Sequence, residues 1–466
     1  MTLRERARTP PVAVAGHWAA SIFCLLVPAI INGSPLLYPD TRAYFIGGRT
    51  AVEKALSVVS PASGGGGGLA ETLQRARGVR SAFYSLFVYI PTISVSLWMV
   101  IVLQALILTA MLRFIFRLWN PDRGVMPATI FMVLLSAFST TAWATSVVMP
   151  DIFTAIMALA IATLLTFWLH LSRLAVWLLF VAIAFALVMH ISNLPIGLGL
   201  AIVGLFVCKP VSLRRPAFML CGLAGLLAVV AMLAVSIVGF KRVSLAPQAP
   251  PFLLARSLSD GPGRLYLQAH CPDVGFVMCQ HLDKLNLQPE IFLWDKTDGV
   301  YSVVDTAEQA ALRAEGNRIF VAAALEYPQL QTLAMISNAL VQLTSFGFYE
   351  YSIPSHAVYS NDDMTLYISD QAPWQGALSI FNVFIVGVSL LVVVVRWGTL
   401  LIRERQFVLM VLATVLLEAA MGAISEPAPR YEARVMWLVP MVALLIAIRD
   451  VLMRHDLRLV SIQWRE

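Results

Sequence analysis

Several short stretches of this chain set ionisable side chains against long apolar runs. Asp40 lies in SPLLYPDTRAYF and Asp151 in VVMPDIFT. His190 precedes Ser192 and Asn193, and Arg80 stands in GVRSAFYSLF. Glu426, Arg430, Glu432 and Arg434 crowd the segment SEPAPRYEAR. An ionisable group beside hydrocarbon is costly unless it is paired, solvated or used. A carboxylate at such a dry boundary can take a proton from a hydroxyl. A guanidinium fork matches phosphate oxygens, because its planar donors fit them in pairs.

Together these groups suit a substrate with a phosphate at the bilayer surface and an acceptor hydroxyl arriving from water. A lipid-phosphate sugar has that shape, with its tail among helices and its phosphate and sugar at the interface. Transfer needs a base for the acceptor and a cation for the departing phosphate. Each residue also has a purely structural reading. Asp40 and Asp151 could cap the helices that follow them. His190 could be an interfacial side chain, and Arg430 and Arg434 could anchor to lipid headgroups.

The elements that must position these groups follow from composition. Of 466 residues, 59% are apolar and 13% charged, and the mean hydropathy is +0.78. So few charges cannot cover a soluble protein of this size, which excludes a soluble enzyme, a disordered chain, a coiled coil and a secreted disulfide scaffold. At roughly 20 apolar residues per crossing, about ten spans are expected. They fall near 14–32, 92–118, 125–147, 152–171, 174–190, 194–208, 217–238, 375–395, 406–424 and 433–448. The basic TLRERAR ahead of the first reads as the flank of an uncleaved first span.

Arginine placement sets the orientation. With the N-terminus in the cytoplasm, the inner loops hold Arg113, Arg117 and Arg123, then Arg173, then Lys209, Arg214 and Arg215, then Arg396, Arg403 and Arg405. The outer turns near 150 and 191 carry no basic residue. Residues 40–80 dissent, with Arg42, Arg49, Lys54, Arg75, Arg77 and Arg80, but a long amphipathic loop weighs less than short ones. Asp40, Asp151, His190 and the 426–434 segment then share the outer face. The net charge of +6 reflects cytoplasmic loops, not a nucleic-acid site.

Two outer regions are large. Residues 33–91 alternate amphipathic stretches around the glycines at 64–68, which read as a linker, since no Gly-Lys-Ser/Thr follows. Residues 239–374 have the composition of a small soluble domain, with helices expected over 305–326 and 327–343. Cys271 and Cys279 lie in it, in an oxidising compartment, and are expected to form a disulfide. Two buried thiols are the alternative, and a Cys/His metal site with His270 and His281 is a further one. Aromatics at Phe346, Phe348, Tyr349 and Tyr351 either anchor the domain or present faces to a sugar.

The layout resembles the GT-C superfamily of integral-membrane glycosyltransferases. The resemblance rests on YPDTRAY after the first span, MPDIFT in the second outer turn, GVRSAFYSLF before the next span and PRYEARVMW before a late one. It covers about the first 240 residues, and its motifs are short. It implies a polyprenyl-phosphate-linked sugar as donor and a lipid or glycan as acceptor. It also implies that Asp40 is the catalytic base. Arg430 and Arg434, with Arg80, would hold the phosphate, and Asp151 and His190 would position substrate. The isolated Asp40 departs from the paired acids many members carry in this loop. No cofactor is expected, although Asp40, Asp151 and His190 are the groups that could hold a divalent ion.

The expected fold is an all-α polytopic membrane protein with an extracytoplasmic domain inserted before its last three helices. Its parts are 1–238, 239–374 and 375–466. The setting is a bacterial-type inner membrane, with both termini cytoplasmic and no nucleic-acid partner. A transporter or flippase of a lipid-linked or anionic solute, using Glu418 near the midplane, is the alternative. A non-catalytic assembly protein is the third reading.

Overall fold

The computed structural model describes residues 10–59, 80–121, 123–360 and 363–463. The glycine run, Arg75 and Arg77 lie outside that set. The described chain is helical apart from one two-stranded hairpin.

Helix α1 (Pro11–Asn32) starts on a proline and stops at Gly33, whose φ of 76° lets its N–H reach back to Ile30. The segment after α1 contributes α2 (Thr41–Val59) and α3 (Ala82–Ser94). Then come α4 (Leu97–Trp119), α5 (Val125–Ala137), α6 (Thr141–Ser146), α7 (Asp151–Thr166), α8 (Arg173–Met189), α9 (Asn193–Val207) and α10 (Arg215–Phe240). The long segment after α10 holds α11 (Phe252–Asp260), α12 (Pro262–His270), α13 (Pro289–Trp294), α14 (Thr306–Glu326), α15 (Pro328–Thr344) and the hairpin β1 (Ser355–Ser360) with β2 (Asp363–Ile368). The chain ends with α16 (Pro373–Arg396), α17 (Ile402–Met421), α18 (Pro429–Met436) and α19 (Leu438–Gln463).

Five stretches among the described residues are long and apolar enough to cross a membrane: Pro11–Asn32, Leu97–Trp119, Val211–Phe240, Pro373–Thr399 and Pro429–Met453. The segments expected near 125–147, 152–171, 174–190 and 194–208 are shorter apolar helices. The first of these is not one continuous helix. It breaks between α5 and α6, where the Ser139 hydroxyl donates to Leu135 O (2.6 Å) and the Thr140 hydroxyl to Ala433 O (2.8 Å). Hydroxyls that compete for backbone partners end helices in this way.

Every residue of α7 is buried. A helix apolar all round has no face to give to solvent and becomes the centre of its bundle. Helices α4, α8, α9, α17 and α18 surround it. Its single acid, Asp151, sits at the first position.

The segment 239–374 divides between two cores. Residues 254–319 enclose their own core, including Leu254, Phe292, Leu312 and Ile319. Phe348, Tyr351 and Met364 instead join the core of the helical bundle. There Asn32 and Ser34 hydrogen-bond Ser355 O (2.7 and 2.6 Å), and Arg42 pairs with Asp363.

Candidate functional site

Local hydrogen bonds bring the two acidic loops side by side. Leu36 N donates to Ser146 O (3.0 Å) and Val148 N to Leu36 O (2.9 Å), a one-residue parallel bridge. The Thr41 hydroxyl donates to Val148 O (3.2 Å) and accepts from Tyr38 N (3.0 Å). Asp40 and Asp151 therefore emerge next to each other although 111 positions separate them (151 − 40). Helix α18 presents Arg430 and Arg434 on one face, one turn apart.

The charges alternate in sign along one chain of contacts. Arg80 donates from Nη2 to Asp40 Oδ1. Arg430 Nη1 stands 3.9 Å from Asp40 Oδ2, and its Nε stands 3.6 Å from Asp151 Oδ2. Arg434 Nη1 donates to Asp151 Oδ1 (3.2 Å). Its Nε and Nη2 grip both oxygens of Glu418 (3.2 and 2.7 Å), and Nη2 also donates to Ser192 Oγ (2.9 Å). Ser192 Oγ lies 2.6 Å from His190 Nδ1. Because Nδ1 also accepts from Ser192 N (3.3 Å), the neutral ring carries its proton on Nε2. Three guanidinium groups face three carboxylates, so the network balances.

Exposure is uneven, and that decides access. The Asp40 and Arg80 side chains are 18% and 21% exposed, against 5% or less for Arg430, Asp151, Arg434 and Glu418. The network thus opens at Asp40 and Arg80. Arg80 also lines a cleft walled by Phe83, Met232, Val235 and Phe240. Arg430 is sandwiched between rings, with Cζ 3.9 Å from the Tyr38 centroid and 4.9 Å from that of Tyr431. Burial pushes the Tyr38 phenol above its ordinary range, so it meets Arg430 as a neutral ring. The buried Nε and Nη1 of Arg430 have no hydrogen-bond partner.

All the residues singled out for chemistry thus meet: Asp40, Arg80, Asp151, His190, Arg430 and Arg434. Three roles change. Neither acid is a simple helix cap: Pro150 occupies the cap position of α7 without a side-chain bond, and both carboxylates face guanidinium groups. Arg434 is not open to a phosphate, because Nε, Nη1 and Nη2 are all engaged and the side chain is 1% exposed. Asp151, 2% exposed, faces both Arg430 and Arg434.

Asp40, Asp151 and His190 do not form a metal-ligand cluster, and no such cluster occurs among the described residues. Arginines stand between these groups. Glu426 lies outside the network, while Glu432 is buried beside it with neither oxygen hydrogen-bonded.

Cys271 and Cys279 are joined in a disulfide, and His270 and His281 face Glu326 and Glu308 (3.5 and 2.6 Å) instead of a metal. Phe348 and Tyr351 pack against Trp143 (5.3 and 6.0 Å between centroids), which stacks on Trp374. Both rings are buried in the core of the bundle. Sequence reasoning missed Tyr431 and Glu350, whose Oε1 accepts from Arg430 N (3.4 Å). The aromatic neighbour in PRYEAR is the one signal that could have found Tyr431. Comparison with protein-family models, with curated proteins and with solved structures finds no match.

Proposed function

We propose that the chain is a membrane glycosyltransferase of the GT-C kind. It moves a sugar from a polyprenyl-phosphate donor to an acceptor hydroxyl at the outer face of an inner membrane. The observation that carries this reading is Arg430: a buried guanidinium with unpartnered donors, set between Asp40 and Asp151, beside a more accessible Asp40–Arg80 pair whose Arg80 lines a largely apolar cleft.

The donor tail lies in the cleft and its phosphate takes the open donors of Arg430 together with Arg80. That exchange of partners frees the Asp40 carboxylate. Asp40 accepts the proton of the acceptor hydroxyl as its oxygen attacks the anomeric carbon. The bond from that carbon to the phosphate oxygen breaks, and the charge on the leaving phosphate develops against the two arginines. A single base with direct displacement inverts the anomeric configuration. Ten crossings, with both termini cytoplasmic, complete the arrangement: the five long stretches, the four shorter apolar segments of α5–α9, and α17.

The transporter reading needs a usable midplane charge, and its best candidate, Glu418, is held at both oxygens by Arg434. The test is Asp40→Asn in sealed, right-side-out vesicles with acceptor added outside. Transfer should stop while polyprenyl-phosphate binding and thermal stability persist. Undiminished turnover, or turnover only with acceptor inside, would overturn the reading.

A further inference from the structure

Helix α15 is inside out for a helix in water. Its buried side carries Gln331, Asn338 and Gln342, and its exposed side carries Leu330, Leu333, Ile336, Leu340 and Val341. Leu333 and Leu340 are 64% and 58% exposed. A surface helix of a soluble domain places these two faces the other way round. An exposed apolar stripe of this length marks a surface meant to be covered.

The polar face is fully employed at two of its three positions. Asn338 Nδ2 donates to Asp260 (3.2 and 3.0 Å), and its Oδ1 accepts from Arg256 (3.2 Å). Gln342 grips the backbone of Ala428 at both ends, accepting from its N (2.9 Å) and donating to its O (3.0 Å). These bonds lock the helix in its inverted sense, so the exposed leucines cannot rotate inward.

The surroundings say what covers it. Helix α15 packs on α17, and a side chain at Gly422, just past the outer end of α17, would lie 2.5 Å from Gln342 Cβ. That contact sets the C-terminal end of α15 at the outer boundary of the bundle. Leu416 on α17 is itself exposed, on a helix that the ten-crossing arrangement proposed above places in the bilayer. Helices α14 and α15 together are apolar enough for a span, but the chain bends by 112° between them, so the pair does not run as one straight crossing. At the bend Glu326 pairs with His270 (3.5 Å), both 38% exposed, a polar contact suited to the waterline.

We propose that α15 lies in the outer leaflet, its Leu330–Val341 face in the acyl chains and its glutamines and asparagine turned toward the protein. The outer region is then seated in lipid, not standing free in water. Because Gln342 holds the residue two positions before Arg430, the seat is tied to α18. This holds whether or not sugar transfer is the activity.

The test places a photoreactive benzophenone amino acid at Leu333 and at Leu340 in the full chain, reconstituted in phosphatidylethanolamine–phosphatidylglycerol vesicles. Ile336 serves as a substitute if either variant fails to fold, and the exposed Lys296 is the aqueous control. Lipid adducts at 333 and 340 should exceed those at 296 severalfold. Adduct yields equal to the control, or cross-links to a second copy or to another protein, would overturn the proposal.

Discussion

At the scale of single residues, the network is a set of buried charges that exist only because they meet. Removing a fully buried partner such as Asp151 or Glu418 strands an arginine in a dry site, which typically costs about 3–5 kcal/mol, whereas Asp40 and Arg80 retain access to solvent. Such a network is better evidence of a held geometry than of stability. Arg430 is the member with capacity to spare. Arg430→Lys keeps the charge but loses the fork, so it should weaken polyprenyl-phosphate binding by about 1.5–3 kcal/mol, the worth of a charged hydrogen bond. Titration of the lipid phosphate reads this directly, and unchanged affinity would remove Arg430 from the binding site. Glu426 gives a pH signature. Burial, with Glu290 and Glu350 nearby, raises its carboxyl above the ordinary glutamate range. A raised folded value means that its stabilisation is complete at acid pH and is lost as pH climbs through that raised value. Stability should therefore fall over that window, and Glu426→Gln should flatten the decline; a melting profile with the same slope in the variant would refute this. Asp40 and Asp151 were legible as sites because charge beside apolar sequence is conspicuous. Glu350 was not, since it sits among ordinary polar neighbours.

At the scale of elements, the alignment of Asp40 with Arg80 depends on how closely α2 approaches α3. A side-chain carbon at Gly48 would lie 2.2 Å from Ser85 O and 2.4 Å from Tyr89 Cβ, and backbone cannot yield as a side-chain tip can. Gly48→Ala should push the helices apart and cost about 1–3 kcal/mol, with loss of transfer activity. Gly222→Ala, in α10, meets nothing within 4 Å and should leave both stability and activity intact. Equal melting temperatures for the two variants would show that the α2–α3 contact is not tight. Long apolar helices such as α1, α4 and α10 were readable from hydropathy alone. The break between α5 and α6 was not, because Ser139 and Thr140 end a helix only where a neighbour such as Ala433 supplies the backbone partner.

At the scale of the whole molecule, two cores divide the labour. The bundle holds the charged network, and residues 254–319 form a separate core braced by Cys271–Cys279. Replacing both cysteines by serine should loosen that core by ~2–3 kcal/mol, as expected for a short loop. Limited proteolysis should then cut first within 254–319 while the helical bundle stays protected. Simultaneous loss of both parts would mean that the cores are not separable. Composition and hydropathy by themselves determined the membrane class and the run of apolar helices, because the cost of desolvating charge and backbone is paid locally along the chain. Only the tertiary structure decided that Arg80, Asp40, Arg430, Asp151 and Arg434 form one alternating series, that Arg434 is spent while Arg430 is not, and that α15 shows its apolar face outward. Those outcomes turn on which helix faces pack together across hundreds of residues, and hydropathy records how apolar a segment is, not which neighbour it will meet.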